Sequence, residues 1–203
     1  CKLILIACNS ASAVAYELVK EYVGRKAIVM DVINPMIDYL AKNYIDKTIG
    51  LIGTKQTVNS NIYRKKLDEL GINIRLNTLA TPLLVPLIEE GFADQAIMTD
   101  AIKSYLSESS LHNLDALVLA CTHYPLIKQP IKQFFKNKTV IIDSTDIVAE
   151  VVKNLLIARD LLSSPSSLSK KKFYVSDYTP AFSALTRLFF KMPILLERYP
   201  LWE

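Results

Sequence analysis

The run Leu117-Val-Leu-Ala-Cys-Thr-His-Tyr-Pro-Leu126 is apolar until it stops on a thiol. A polar pair follows, Thr122 and His123, and Pro125 then stands where a helix can begin. An unbroken aliphatic run bounded in this way predicts a strand buried on both faces of a parallel sheet. In such sheets ligands sit just beyond the carboxyl ends of the strands, which is where Cys121 falls. A single cysteine there is more often a small buried hydrophobe than a base or nucleophile. The pattern occurs twice, however. Leu3-Ile-Leu-Ile-Ala-Cys-Asn-Ser10 repeats the apolar run, the alanine, the cysteine and the polar pair. Two thiols at two strand ends suggest one site approached from two sides.

The segments between and beyond these runs alternate strand and helix. Ala11, Val14, Ala15, Leu18 and Tyr22 fall at helical spacing and predict a helix over about Ser10 to Tyr22, stopping near Gly24. A strand over Ala27 to Ile33 follows, then a helix opened by Pro35. Thr48 to Gly53 is a strand ending in a Gly53-Thr54 turn, with one helix from there through Val58, Ile62, Leu67 and Leu70. Ile72 to Thr78 alternates like a half-buried strand. Thr81 to Glu90 is interrupted by two prolines, and a helix over about Asp94 to Leu106 precedes the Cys121 strand. Val140 to Asp143 is a strand, and Ser144, Thr145 and Asp146 cap a long helix after it. Ser163 to Lys172 reads as a polar linker, Phe173 to Val175 as a strand, and Pro180 as the start of a final helix through Phe182, Leu185 and Phe189.

This alternation is that of an α/β protein with parallel sheets flanked by helices. Because the cysteine-bearing units are so far apart in the chain, two facing lobes are expected rather than one sheet. The expected division is a first-lobe remnant over 1–33, a second lobe over 34–143, and a return to the first lobe over 144–203. The chain opens on Cys1-Lys2 and enters a strand at once, so the first lobe is expected to be truncated at its N-terminus and to leave apolar side chains exposed.

Composition excludes several classes. At 51% hydrophobic and 22% charged residues with 5 glycines, the chain is neither disordered nor fibrous. Its formal charge of +4 comes without aromatic residues interleaved among Lys and Arg, which speaks against a nucleic-acid partner. No apolar segment reaches the ~20 residues needed to span a bilayer, and no export signal precedes the first strand. Three cysteines without close spacing fit reduced thiols in a cytoplasmic protein. Dinucleotide and P-loop fingerprints are absent, so no cofactor is expected. Cys121, His123 and His112 lack zinc-site spacing, and no metal is expected.

The chemistry follows from the paired thiols. A thiol at a helix N-terminus meets the positive end of the dipole, which favours thiolate. Neighbouring N–H groups and the hydroxyls of Ser10 and Thr122 could hold a carboxylate. Across one cleft, a thiolate could remove a proton from one face of a carbon while the other thiol protonates the opposite face. Such an arrangement inverts a stereocentre. His123 could tune the second thiol, Glu89 is a further candidate in the proline-framed segment, and Thr54 marks a turn where an anion could bind.

These motifs resemble those of the glutamate racemase family. Ala7-Cys-Asn-Ser-Ala-Ser-Ala13 and Ala120-Cys-Thr-His-Tyr-Pro-Leu126 are similar to its two signatures. Gly53-Thr54, Val85-Pro-Leu-Ile-Glu89 and Ile142-Asp-Ser144 are similar to its intervening segments, in the same order. The resemblance implies two pseudo-symmetric α/β lobes and cofactor-independent interconversion of L- and D-glutamate, supplying D-glutamate for peptidoglycan. It implies Cys8 and Cys121 as the two bases, with His123 and Glu89 as auxiliary acid–base residues. Asn9, Ser10, Thr122 and Thr54 would surround the substrate. Ser10 replaces the family's usual threonine and keeps the hydroxyl. The family's opening Asp-Ser-Gly turn and later Pro-Tyr-Gly segment have no counterpart here. A homodimer is compatible with the resemblance. Two other classes stay open: a related racemase or decarboxylase acting on aspartate or another small acid, and a non-catalytic binding fragment.

Overall fold

The structure, a computed structural model, describes residues 1–163, 170–177, 186 and 189–200. Its framework is a four-stranded sheet in the order β4-β3-β5-β6, every neighbouring pair parallel. These strands are β3 (Thr48–Gly53), β4 (Arg75–Ala80), β5 (Ala116–Ala120) and β6 (Val140–Asp143). A separate parallel pair, β1 (Leu3–Ile6) and β2 (Ile28–Asp31), carries the first cysteine motif. A third parallel pair joins β7 (Phe173–Val175) to β8 (Leu196–Arg198), and sequence periodicity did not foresee β8. The fold class is α/β, as the alternation predicts.

The pleat explains why β5 reads as continuously apolar. Successive side chains point to opposite faces. Ala116, Val118 and Ala120 join one core with Ile49 and Leu51, under α2 (Ile33–Asn43) and α4 (Ile62–Glu69). Leu117 and Leu119 join the opposite core with Ile52, under α5 (Leu84–Glu89), α6 (Ala96–Leu106) and α7 (Lys128–Phe134). All five β5 residues are buried because both faces are covered. Gly50 is required by this packing. A Cβ there would lie 2.4 Å from Leu114 Cδ1 and 2.9 Å from Leu117 Cδ1.

Several boundaries differ from expectation, each for a local reason. The helix expected from Thr54 through Leu70 is two, α3 (Lys55–Asn59) and α4, broken at Ser60-Asn61. Asn61 takes a left-handed backbone with φ 56°, and Ser60 Oγ donates to the Thr57 carbonyl (2.7 Å) while accepting from Ile62 N–H (3.3 Å). β4 begins at Arg75 rather than Ile72 because its register follows β3, from Thr48↔Arg75 to Gly53↔Ala80. The proline-framed segment does form a helix, α5, since Pro86 lies in the first turn, where its missing N–H costs nothing. The cap of α8 (Ser144–Ala158) is Asp143, whose carboxylate accepts from Thr145 N–H at 2.9 Å. Lys128 also bonds that carboxylate. Burial alone would raise the Asp143 pKa, but the bonds from Lys128 and Thr145 outweigh it and hold the group below its ordinary value.

Helix α1 (Asn9–Val23) runs where expected, with Gly24 after it at φ 56°. Val14, Leu18 and Tyr22 of its stripe are exposed, as expected of apolar side chains in the first lobe, whereas its polar first turn is buried through Asn9 and Ser12. Leu5 of β1 is also partly open. α8 packs on α2 and lines, with Leu5, Ala7 and Val32, a mainly apolar pocket of about 280 Å³. Residues 164–169 of the expected linker, and the expected final helix from Pro180 through Phe182 and Leu185, lie outside the described residues. Among the described residues, no helix is long and apolar enough to cross a membrane.

Candidate active site

Parallel register brings the key turns together. Gly53 and Ala120 are paired at the ends of β3 and β5, so Thr54 and Cys121 leave the sheet side by side. Gly53 permits the close approach, since a Cβ there would stand 3.2 Å from the Ala120 carbonyl and 3.4 Å from Thr57 Cβ. β1 delivers Ala7 and Cys8 to the same place. One pocket of about 210 Å³ is lined by Cys8, Asn9, Ser10, Thr54, Val85, Ala120, Cys121, Thr122 and His123. Seven of the eight sequence-selected residues therefore share one cavity. Glu89, the eighth, does not line it but reaches it through His123.

Cys121 continues the parity of Leu117 and Leu119 and joins the core on the α5 face. That parity puts it on the side where α5 ends in Glu89. His123 connects the two. Its Nδ1 is 3.9 Å from Cys121 Sγ, and its Nε2 is 3.2 Å from Glu89 Oε1. With Nε2–H donated to the carboxylate, Nδ1 is left as an acceptor for the thiol proton. Phe189 supports the imidazole edge-on, with ring centres 5.6 Å apart.

The buried thiol does not behave as its helix-end position alone predicts. Burial pushes Cys121 up to about 11, and the negative charge of Cys8 or Glu89 adds to the rise. Bonds from the backbone N–H groups of His123 and Tyr124 favour thiolate but do not overcome burial. The element after Cys121 is a four-residue 3-10 turn, Tyr124–Ile127, too short to present a full helix dipole. Tyr124 anchors that turn. Its hydroxyl lies 2.6 Å from Thr81 Oγ1, and Thr81 Oγ1 in turn lies 3.2 Å from the Gly53 carbonyl it donates to.

The Cys8 side is open and polar. Cys8 is exposed and is the N-cap residue of α1, its carbonyl accepting Ser12 N–H at 2.8 Å. Ser12 Oγ donates to the Ile6 carbonyl (3.0 Å), fixing the strand-to-helix corner that presents the thiol. Ser10 Oγ lies 2.7 Å from Thr54 Oγ1 and 3.2 Å from Thr57 Oγ1, and the two threonine hydroxyls are 3.1 Å apart. Asn9 Oδ1 accepts from the Tyr63 hydroxyl at 2.7 Å. Thr57 and Tyr63 were not anticipated. The Thr54-x-x-Thr57 spacing is a signal that could have found Thr57.

Among the described residues, no group of three His, Cys, Asp or Glu side chains converges as a metal site would need. The titratable groups gathered at the pocket are the two thiols, the imidazole and the carboxylate of Glu89.

Residues 1–152 match the family model of the Asp/Glu/hydantoin racemases. A glutamate racemase of Chlorobium phaeobacteroides is 36% identical over 188 residues, which is 93% of this chain and 69% of that protein. The solved glutamate racemase of Francisella tularensis, in complex with D-glutamate, superposes with a TM-score of 0.84 at 33% identity, covering 98% of this chain and 73% of the other. A glutamate racemase isoform of Bacillus anthracis superposes with a TM-score of 0.88 at 29% identity, covering 98% and 74%.

Proposed function

The chain belongs to the Asp/Glu/hydantoin racemase family, and from that premise we propose that it interconverts L- and D-glutamate by proton transfer between Cys8, Cys121 and the α-carbon. The observation that carries this is the shared pocket: one cavity is lined by both thiols. A racemase without a cofactor must reach both faces of one carbon, and two thiols lining one cavity can supply an acid and a base for that.

In one direction a Cys8 thiolate takes the α-proton, and the electron pair passes onto carbon and the adjoining carboxylate. Cys121, held as a thiol by its burial, donates its proton to the opposite face. The product leaves with inverted configuration, and the enzyme is left with Cys8 as thiol and Cys121 as thiolate. In the other direction the roles exchange, and His123 helps draw the proton from Cys121 while Glu89 stabilises the imidazolium that forms. Asn9, Ser10, Thr54 and Thr122 are the donors for the substrate's carboxylates.

The same reading takes 1–33 and 144–203 as one lobe and 34–143 as the other, which would put one thiol on each lobe. The D-glutamate complex of the Francisella protein makes glutamate the first substrate to test here. A cytoplasmic enzyme supplying D-glutamate for peptidoglycan fits three cysteines that are all free. The test is racemisation in D2O with no added cofactor. Each enantiomer should yield product carrying solvent deuterium at the α-carbon. Aspartate racemised faster than glutamate in the same assay would move the assignment to the family's other amino acid.

A further inference from the structure

Asn9 is 2% exposed, yet its Nδ2 is a buried donor without a hydrogen-bond partner among the described residues. Buried donors are rarely left so, and an orphan costs more than a typical bond gains. This one belongs to a residue that lines the two-thiol pocket. The other end of the same amide is firmly held, because the Tyr63 hydroxyl donates to Oδ1 at 2.7 Å. We infer that Tyr63, on α4, is a positioning residue for glutamate: by occupying Oδ1 it fixes the flip of the Asn9 amide and points Nδ2 at the substrate.

The geometry makes this orientation one-sided. An amide can turn over, exchanging donor and acceptor at nearly equal volume. Only a partner that donates can select the orientation with Oδ1 inward. Tyr63 is itself 3% exposed, and burial, with the charge of Asp31 nearby, keeps the proton on the phenol. Asp31 is held in place by Ile33 N–H (3.3 Å), Asn34 N–H (3.2 Å) and Asn34 Nδ2 (2.8 Å). The phenol is therefore a standing donor, and Nδ2 is offered as a donor to a carboxylate in the pocket.

The inference rests on the glutamate reading, so its test must separate the two. Steady-state racemisation would be measured for the wild type, Tyr63→Phe, Asn9→Ala and the double variant. Tyr63→Phe keeps the ring and removes the hydroxyl. It should raise KM for glutamate about three- to tenfold, one net hydrogen bond's worth, with kcat within about twofold. In the Asn9→Ala background the same change should have no further effect on KM, because Tyr63 acts through that amide. A penalty that persists in that background would show a packing role and overturn the inference. So would a Tyr63→Phe enzyme with wild-type KM. Wild-type protein labelled with 15N-asparagine provides a measurement independent of any variant's folding: the Asn9 Nδ2 resonances should shift on adding glutamate. An active wild type whose Asn9 resonances stay put refutes the positioning role alone. A wild type that neither racemises glutamate nor responds to it refutes the glutamate reading and this inference together.

Discussion

Cys8 and Cys121 follow the same five-residue pattern at the ends of parallel strands, but their surroundings differ. Cys121 ends an interior strand of the four-stranded sheet, with cores on both faces, and is buried against Tyr124 and His123. Cys8 ends a strand of a two-stranded pair, is exposed, and is surrounded by hydroxyls and an amide. Only Cys121 has a histidine beside it, backed by a carboxylate. The difference teaches that the two half-reactions are supported by different means. On the proposed mechanism, burial would hold Cys121 as the acid, and the imidazole would be needed to make it a base. A rigid corner and open access serve Cys8.

The largest expected effect tests whether both thiols belong to one reaction. Cys8→Ser and Cys121→Ser should each lower kcat/KM by at least about a thousandfold in both directions, because a hydroxyl is a far weaker base near neutral pH. Near wild-type racemisation by either variant would make that cysteine structural and dissolve the comparison.

Much of this was legible in the sequence because it rests on strongly periodic segments. β3 and β6 fall at their expected limits, and β5 and the two thiol motifs were anticipated from unbroken apolar runs. What escaped depends on tertiary contact. The Ser60-Asn61 break is set by a serine bonding its neighbours' backbone. β8 has three residues and no period long enough to detect. The exposure of Val14, Leu18 and Tyr22 agrees with the expectation for the first lobe, though not with spacing, which tells which residues share a face but not what covers it. Among site residues, the cysteines and His123 announce themselves by type and position. Tyr63 does not, since a tyrosine at helical spacing reads as core. It is both core and, through one hydroxyl, the neighbour of Asn9.

The second comparison is mechanical. Leu117 of β5 is 0% exposed, whereas Leu5 of β1 is 36% exposed. Leu117→Ala should therefore cost about 2–5 kcal/mol, the range for a fully enclosed leucine, and Leu5→Ala about 1 kcal/mol or less. Urea unfolding would measure both. Equal losses would show that the β1–β2 unit is packed as tightly as the central sheet.

Burial should slow the reaction of Cys121 by about a hundredfold relative to an ordinary thiol. With Cys121 pushed up to about 11 from an ordinary 9.0, its thiolate fraction at pH 8 is lower by roughly two powers of ten. Iodoacetamide at pH 8 should label exposed Cys1 and Cys8 before buried Cys121, with Cys121 labelling accelerating toward pH 11. The same shift has a sign for stability. The folded state holds this proton more tightly than the unfolded state, so the contribution is complete below about pH 9 and is lost as pH rises through about 11. Rapid labelling of Cys121 at neutral pH would mean that its burial is not maintained in solution.

The smallest effect concerns Glu89, which touches Cys121 only through His123. Glu89→Gln keeps an acceptor for Nε2–H but removes the charge that stabilises the imidazolium. Because the pair is half exposed on the Glu89 side, the loss should be about 1 kcal/mol at most, or up to roughly fivefold in rate. It cannot appear as a difference in kcat/KM between directions, since enantiomers are equal in energy and the two values must remain equal. The asymmetry must appear elsewhere. In the direction where Cys121 takes the proton, the weakened base makes abstraction more rate-limiting, so the primary isotope effect with the α-deuterated substrate should rise. In the direction where Cys8 takes the proton, it should change little. Measuring kcat isotope effects from both enantiomers, in wild type and Glu89→Gln, resolves the point. Equal changes in both directions would mean that Glu89 serves the whole pocket and that the Cys121 half-site has no dedicated relay.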